Sequence, residues 1–169
     1  HVNVGLVFIE NNVILDGAGH TVTPPANTHG VIADGKDNIT VRNLNINMSA
    51  SNLAGIVLVR GSDFAVEDNT ITGVNGGGKG ISITVGGSNA QITGNQINGS
   101  HTGIDVRDIP QSTISNNTVT SSAVGAWGIV VGRSTDTQIS NNTITSDNGL
   151  ILEGTGSFTG YTVTDNTIN

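Results

Sequence analysis

The chain has 169 residues, of which 24 are glycine and none is cysteine, and its formal net charge is −7. This charge argues against a nucleic-acid partner or an anionic membrane surface, and the lack of cysteine excludes disulfides, zinc–thiolate sites and cysteine nucleophiles. No apolar run approaches the roughly 20 residues that span a bilayer, so we expect no membrane insertion. Charged residues make up only 11 % of the chain, but regularly placed Ile, Val and Thr argue against disorder.

A glycine followed by a short apolar run recurs along the whole chain. The glycines are Gly5, Gly30, Gly55, Gly80, Gly103, Gly128 and Gly149, at intervals of 21 to 25 residues. The runs at 6–9, 31–33, 56–59, 81–83, 104–106, 129–131 and 150–152 have the apolar character of buried parallel strands. A repeat of this length indicates a solenoid, in which each repeat forms one coil of a rod.

Further short strands are predicted in each coil. The second strand is centred near Val41, Val66, Ile92, Ile114, Ile139 and Val163, and the third on Val22, Ile46, Ile71, Ile97, Val119, Ile144 and Ile168. No segment shows helical periodicity. We therefore predict an all-β fold, a single parallel β-helix domain over residues 1–169 with about seven coils of three short strands. At about 4.8 Å per coil the rod would be roughly 30 Å long.

An asparagine recurs immediately before the third strand. It occupies this position in five coils, as Asn69, Asn95, Asn117, Asn142 and Asn166. Leu44 takes the equivalent position in the second coil and His20 in the first. Because Asn tolerates left-handed backbone conformation, we predict that these residues make the turn. Their stacked side chains should bond to one another and to turn backbone, forming a ladder along the rod.

The phrase Val13-Ile14-Leu15-Asp16-Gly17-Ala18-Gly19-His20-Thr21-Val22, followed by coils of the pattern Asn-Asn-x-Ile, resembles the right-handed parallel β-helix repeat superfamily. The likeness is greatest to its NosD-like, carbohydrate-associated branch. It implies right-handed winding, in agreement with the handedness of parallel crossovers. The superfamily includes pectate-lyase-like enzymes, alginate epimerases, phage tailspikes, surface adhesins and accessory proteins of copper-enzyme maturation. The resemblance therefore implies a fold and leaves the activity open.

Metal ligands are few in this sequence. The four histidines, His1, His20, His29 and His101, form no closely spaced pair. The copper site that the NosD likeness would imply is therefore not supported, and we expect no metal site.

An apolar row is predicted on the outside of the first sheet. If the first and third residues after each glycine point inward, the second points outward, which gives Val7, Ile32, Val57, Val130 and Ile151, interrupted by Ser82 and Asp105. An exposed apolar row of this length suggests a surface that packs against another subunit or a further domain. The alternative is that these residues merely satisfy β-propensity.

Polar residues follow this row, where the first sheet runs into its turn. They are Asp34, Arg60, Asp105, Arg107, Asp108, Arg133 and Glu153. Such a mixed row could bind the hydroxyl groups of a polysaccharide, and the alternative is a set of solvated ion pairs. If the protein is an enzyme, Asp105, Arg107 and Asp108 are the catalytic candidates, because acid–base chemistry needs two groups that flank one bond. The likeness to lyases would imply Ca²⁺ held by Asp clusters; otherwise we expect no cofactor.

Threonine dominates the outside of the third sheet. The predicted outward pairs are Thr21/Thr23, Asn45/Asn47, Thr70/Thr72, Gln96/Asn98, Thr118/Thr120, Thr143/Thr145 and Thr167/Asn169. Regular ranks of Thr-x-Thr could match ordered water, which makes an ice-binding solenoid an alternative. Thr is also simply a good strand residue.

Neither end of the sequence shows the amphipathic helix or polar cap that closes many solenoids. We therefore expect either a piece of a longer protein or a unit that stacks end to end. The favoured function is a non-enzymatic surface or structural module, extracellular or in the cell envelope, that self-associates laterally or end to end or binds carbohydrate. The alternatives are a lyase or epimerase acting on acidic polysaccharide, and an ice-binding protein.

Overall fold

The structure is a computed structural model that describes residues 5–48, 53–74, 77–154 and 159–169. In these ranges the regular elements are 21 strands, numbered here in chain order. They form three parallel sheets of seven strands each, and successive members of a sheet are three strands apart in the chain. The fold is therefore an all-β, right-handed parallel β-helix of seven coils, as predicted. No helix long and apolar enough to cross a membrane occurs in the described part of the chain.

The strands of the three sheets have the following bounds. The first sheet contains β1 (Leu6–Phe8), β4 (Val31–Asp34), β7 (Ala54–Val59), β10 (Lys79–Thr84), β13 (Thr102–Arg107), β16 (Trp127–Gly132) and β19 (Leu150–Glu153). The second contains β2 (Val13–Asp16), β5 (Ile39–Arg42), β8 (Phe64–Glu67), β11 (Ala90–Thr93), β14 (Thr113–Ser115), β17 (Gln138–Ser140) and β20 (Thr162–Thr164). The third contains β3 (Thr21–Val22), β6 (Asn45–Asn47), β9 (Thr70–Thr72), β12 (Gln96–Asn98), β15 (Thr118–Thr120), β18 (Thr143–Thr145) and β21 (Thr167–Ile168).

The coils are stacked in register, so that equivalent residues form columns along the rod. Ile56 pairs with Ile81, Ile81 with Ile104, and Ile104 with Ile129. All four are completely buried. Burial of an isoleucine side chain contributes about 1.5 to 3 kcal/mol. A column of identical branched side chains therefore stabilises the rod at every coil.

The repeat glycine is needed because it faces the third sheet across a narrow core. A Cβ added to Gly55 would lie 2.6 Å from Cγ2 of Ile71 and 2.9 Å from the carbonyl oxygen of Gly80. Such distances do not occur between real atoms without displacement, so a side chain would push the two sheets apart. This close approach explains why glycine returns in every coil.

The four central strands of the first sheet begin earlier than the sequence predicted. β7, β10, β13 and β16 start one residue before the repeat glycine, whereas we predicted a start after it. The pre-glycine residues are therefore part of the sheet.

The predicted asparagine ladder is present. Asn69, Asn95, Asn117 and Asn142 are buried, and each Nδ2 group donates to the Oδ1 atom of the Asn in the next coil at 2.8 to 3.0 Å. Asn166 accepts the last of these bonds. At the other end the backbone N–H group of Leu44 donates to Oδ1 of Asn69, so Leu44 occupies the predicted position without extending the ladder.

The left-handed residue of the turn is not the ladder asparagine. Positive φ angles belong to the residue before it, namely Asp68, Gly94, Asn116, Asn141 and Asp165, and likewise to Asn43, which precedes Leu44. Placement of the bend one residue earlier turns the ladder asparagine inward, where its amide can bond along the rod axis. The prediction of a turn was right, but the residue assigned to the left-handed position was wrong.

Candidate functional site

The residue before each repeat glycine forms a column on the first sheet. We call His29, Ala54, Lys79, Thr102 and Trp127 the pre-glycine column. Lys79 is in register with Ala54 on one side and with Thr102 on the other, and Thr102 is in register with Trp127. Adjacent members are therefore one strand spacing apart, about 4.8 Å. The column brings a histidine, a lysine and a tryptophan into one line along the rod.

Asp105 lies one column further along the strands, on the outer face, yet its side chain is completely buried. Nζ of Lys79 donates to Oδ2 of Asp105, and Nε of Arg107 donates to Oδ1 at 2.7 Å. Both carboxylate oxygens are thus held by cations from two different coils. An uncompensated buried charge would be strongly destabilising, so these two partners are what make the burial of Asp105 tolerable.

Arg107 extends this group to the last coil. Its Nη1 atom donates to Oε2 of Glu153, two coils away. The intervening residue in the same register is Gly132, and a Cβ added there would lie 3.4 Å from Cγ of Arg107. A methyl group at Gly132 would therefore be in ordinary contact with Arg107, which crosses the sixth coil beside this small residue. Burial lowers the pKa of Arg107, but hydrogen bonds and charges from Asp105 and Glu153 outweigh it and raise the pKa above its usual value.

The remaining predicted site residues form two separate ion pairs. Arg133 makes a bidentate pair with Asp108, with both N···O distances 2.7 Å. The hydrogen bond from Arg133 lowers the pKa of the Asp108 carboxyl. Arg60 pairs with Asp34 nearer the start of the rod. The polar row is therefore three groups of ion pairs, of which only the one around Asp105 contains a buried charged group.

The predicted catalytic residues do not share a free reactive position. Asp105 is enclosed and bonded through both oxygens, and Asp108 gives both of its oxygens to Arg133. A general base needs an accessible lone pair within hydrogen-bond distance of its substrate. Asp105 does not meet this requirement because its side chain is completely buried, whereas Asp108 is 38 % exposed but is held in an ion pair with Arg133.

A calcium site does not fit these residues. The carboxylates that would have to hold the ion already bind guanidinium or ammonium groups, and oxygen ligands in larger number are needed for Ca²⁺. Among the described residues there is no group of three or more His, Asp or Glu side chains placed to hold a metal ion. His1, one of the four histidines considered, lies outside the described residues.

A small pocket opens beside the pre-glycine column, with a volume of about 190 Å³. Its lining includes His29, Leu53, Ala54, Val57, Lys79 and Ser82. Nδ1 of His29 accepts a hydrogen bond of 3.2 Å from the backbone N–H group of Ala54. Burial lowers the pKa of His29, which keeps the ring neutral near pH 7. The pocket thus combines an apolar wall with one ammonium group, one neutral imidazole and one hydroxyl.

The apolar row of the first sheet is less exposed than the sequence predicted. Val130 is only 3 % exposed, and Ser82 and Asp105 in the same row are also buried. Ile32, Val57 and Ile151 are partly buried, and Val7 is 49 % exposed. The expectation of a continuous exposed apolar row is therefore wrong at Val130, in the coil next to that of Asp105. The assignment of the other four residues to a partner surface stays a prediction.

The outward threonines of the third sheet are aligned as expected. Thr118 is in register with Gln96 and Thr143, and Thr120 with Asn98 and Thr145. Threonine is also found on the second sheet, at Thr40, Thr93, Thr113, Thr162 and Thr164. The presence of threonine on both sheets favours β-propensity as the reason for it.

Sequence reasoning missed the pre-glycine column. The signal was present, because His29, Lys79 and Trp127 each precede a repeat glycine and so occupy one structural position in three coils. It was overlooked because the strands were taken to begin after the glycine.

Three in-register parallel sheets with a ladder of asparagines define a parallel β-helix protein. The sequence matches the family model described as right handed beta helix region over residues 29–169, and the chain belongs to this family. No curated protein and no solved structure matched the chain.

Proposed function

We propose that the protein is a non-enzymatic β-helix module, extracellular or in the cell envelope, that binds carbohydrate on the outer face of its first sheet. The observation that carries the proposal is the pre-glycine column, in which Lys79, Thr102 and Trp127 lie in register on three successive strands. A tryptophan ring offers a flat apolar face for a sugar ring, and the flanking polar groups supply hydrogen bonds that fix its orientation.

The rigidity of this surface supports binding. The four longest strands of the first sheet, β7, β10, β13 and β16, carry the column, and each has six residues. The ion pairs of Lys79 with Asp105 and of Arg107 with Glu153 tie the fourth, fifth and seventh coils together. Groups held in place before the ligand arrives lose little entropy on binding.

The locked carboxylates favour binding over catalysis. Asp105, Arg107 and Asp108 are all engaged in ion pairs, so an enzyme using them would first have to break these pairs. A lyase or epimerase remains the alternative, and it makes a clear prediction. Combined replacement Asp105→Asn, Arg107→Gln and Asp108→Asn should abolish any uronate-modifying activity of the wild-type chain; activity that survives the replacement would remove these residues as catalysts.

Trp127→Ala is the test of carbohydrate binding. We expect the affinity for the polysaccharides that bind the wild-type chain on a glycan array to fall at least about tenfold, equivalent to roughly 1.4 kcal/mol. Thr118→Ala, at an exposed position on the third sheet, is the matched control and should bind normally. Thermal unfolding of both variants checks that the rod is intact. Normal binding by Trp127→Ala, or no polysaccharide bound by the wild-type chain, would refute the proposal.

Self-association is a second part of the proposed role. It is supported by the partly exposed apolar residues Val7, Ile32 and Val57 in the first three coils and Ile151 in the last. Light scattering of the full native protein tests it: a monomeric mass at all concentrations would contradict lateral association. Ice binding ranks lower, because threonine is not confined to the sheet that would contact ice.

A further inference from the structure

We propose that Asn148 is a site of spontaneous chemical modification, at which the backbone nitrogen of Gly149 converts the asparagine to aspartate and isoaspartate. Isoaspartate at this position loosens the seventh coil. This property is independent of the proposed carbohydrate binding, because it depends only on the main chain around two Asn–Gly dipeptides that the fold holds differently.

The reaction needs only the main chain and water. The glycine nitrogen forms a bond to Cγ of the preceding asparagine, and the side-chain nitrogen leaves as ammonia, taking up the proton of the glycine N–H group. Water then opens the cyclic imide at one of its two carbonyl groups. Opening at Cγ gives aspartate, and opening at the main-chain carbonyl gives isoaspartate. Glycine favours the attack because it has no side chain beside the attacking nitrogen and moves freely.

One Asn–Gly dipeptide, Asn98-Gly99, is held in the third sheet. Asn98 is the last residue of β12 and is in register with Thr72 and Thr120 in the coils on either side. The N–H group of Gly99 donates to the carbonyl oxygen of Thr120 at 3.0 Å. This hydrogen bond would have to break, and the end of the strand would have to leave the sheet, before the nitrogen could reach Cγ of Asn98. We therefore expect Asn98 to be protected.

The other Asn–Gly dipeptide that the structure describes, Asn148-Gly149, lies in the turn between β18 and β19. Asn148 is exposed to solvent. Neither its side-chain amide nor the N–H group of Gly149 makes a hydrogen bond with any described residue. The attacking nitrogen and the carbon that it attacks are therefore both unrestrained, and water can reach the imide. A third such dipeptide in the sequence, Asn75-Gly76, lies outside the described residues.

Isoaspartate changes the main chain at a position on which the fold depends. It adds one atom to the backbone directly before Gly149, whose carbonyl oxygen accepts from the N–H group of Ile129 at 3.0 Å. A Cβ atom added to Gly149 would lie only 2.8 Å from Cγ2 of Ile168, so a displaced backbone has little space. β19 follows at once, and its Glu153 binds Arg107. Isoaspartate therefore moves β19 out of register with β16 and weakens this ion pair.

Peptide mapping by mass spectrometry tests the modification. The intact chain is kept at mildly alkaline pH and then digested, and the loss of unmodified asparagine is followed at Asn148 and Asn98. We expect Asn148 to react at least about fivefold faster, which corresponds to the roughly 1 kcal/mol that the hydrogen bond of Gly99 contributes. The chain unfolded in urea is the control, in which this ratio should fall toward one, because both dipeptides are then unrestrained.

Three results of this mapping would overturn the proposal. They are the same ratio in the folded and the unfolded chain, no reaction at Asn148 in the folded chain, and faster reaction at Asn98 than at Asn148 in the folded chain. Asn148→Gln should abolish the reaction at this position, because glutamine would have to form a larger ring.

Urea unfolding followed by the fluorescence of Trp127 tests the effect on the seventh coil. Trp127 is a close reporter, because the N–H group of Asn148 donates to the carbonyl of the adjacent Ala126 at 3.0 Å. We expect the stored wild-type chain to unfold at a lower urea concentration, in proportion to the isoaspartate that it contains. Stored Asn148→Gln should keep its urea midpoint.

Asn148→Asp separates the added charge from the longer backbone. The freshly prepared variant carries the charge of the aspartate product without the extra main-chain atom, so it should unfold as the fresh wild-type chain does. A stored wild-type chain that contains isoaspartate at this position and yet keeps its urea midpoint would contradict the loosening of the seventh coil.

Discussion

The asparagine ladder provides the sharpest test of what holds the rod together, and Asn117 is its best position. Oδ1 of Asn117 accepts from the backbone N–H and the Nδ2 group of Asn95, both at 3.0 Å. Its own Nδ2 group donates to the carbonyl of Ile92 and to Oδ1 of Asn142, both at 2.9 Å. An asparagine amide has two donors and two acceptor lone pairs, so this side chain is fully satisfied.

Asn117→Ala removes four hydrogen bonds at once. At about 1 kcal/mol of net stabilisation for each bond, the loss is about 4 kcal/mol. The backbone N–H group of Asn95, which is buried, also loses its acceptor, and the truncated side chain leaves a small cavity. We therefore expect the free energy of unfolding to fall by about 3 to 5 kcal/mol.

Asn117→Asp separates hydrogen bonding from packing. The substitution keeps the shape of the side chain but places an oxygen where Nδ2 donated to Ile92 and Asn142. It should destabilise the protein at least as much as Asn117→Ala does at pH 7, although no cavity forms. Asn98→Ala, at an exposed position on the third sheet, should change stability by less than about 0.5 kcal/mol.

Urea unfolding is the assay for this series. Far-UV circular dichroism reports on all coils, and the fluorescence of the single tryptophan, Trp127, reports on the sixth coil, next to the substitution. Two probes are needed because solenoids can lose their coils in separate steps. If Asn117→Ala and Asn117→Asp both unfold within about 1 kcal/mol of the wild-type chain, the ladder is a consequence of the fold and not a cause of its stability.

Two further predictions concern the packing of the coils. Gly55→Ala should lower stability by about 1 to 3 kcal/mol, because the new methyl group meets Ile71. Gly132→Ala is the control, because its methyl group has only ordinary contacts. Equal stability of the two variants in urea would contradict the steric argument. Burial lowers the pKa of His29 in the folded protein below 6.5. Between this lowered pKa and 6.5 the unfolded chain binds more protons than the folded one does. The free energy of unfolding should therefore fall as the pH drops through this window. In His29→Gln, where an amide oxygen can still accept from Ala54, this part of the pH profile of the urea midpoint should flatten; an unchanged profile would exclude His29 as its source.

The inside of the rod was predictable because each coil imposes the same requirement. Ile56, Ile81, Ile104 and Ile129 occupy one column, and a space beside the third sheet admits only glycine. A branched apolar residue and the glycine therefore recur in the sequence once in each coil, at intervals of 21 to 25 residues. The left-handed position was misassigned because Asn occurs at both positions of the turn in two coils, for example as Asn116 and Asn117, and only backbone geometry distinguishes them.

The burial of Asp105 could not be predicted from the period. An outward residue is covered only if long side chains from other coils reach over it. Here Lys79 arrives from the coil before, and Arg107 lies across Gly132 toward Glu153. These contacts depend on side-chain conformations and on the small residue Gly132 in the coil between Arg107 and Glu153, which no spacing in the sequence records.

Departures from the repeat are the best guide to function on such a surface. On the third sheet the outward positions repeat threonine, as β-propensity alone would select. The pre-glycine column instead changes in each coil, from His29 through Ala54, Lys79 and Thr102 to Trp127, although the backbone position stays the same. Neither the core nor the turns require this variety. The outer columns of the first sheet vary from coil to coil over a uniform core, and they lie beside a pocket and the ion pairs of Asp105. The first sheet is therefore where the proposed ligand should be sought.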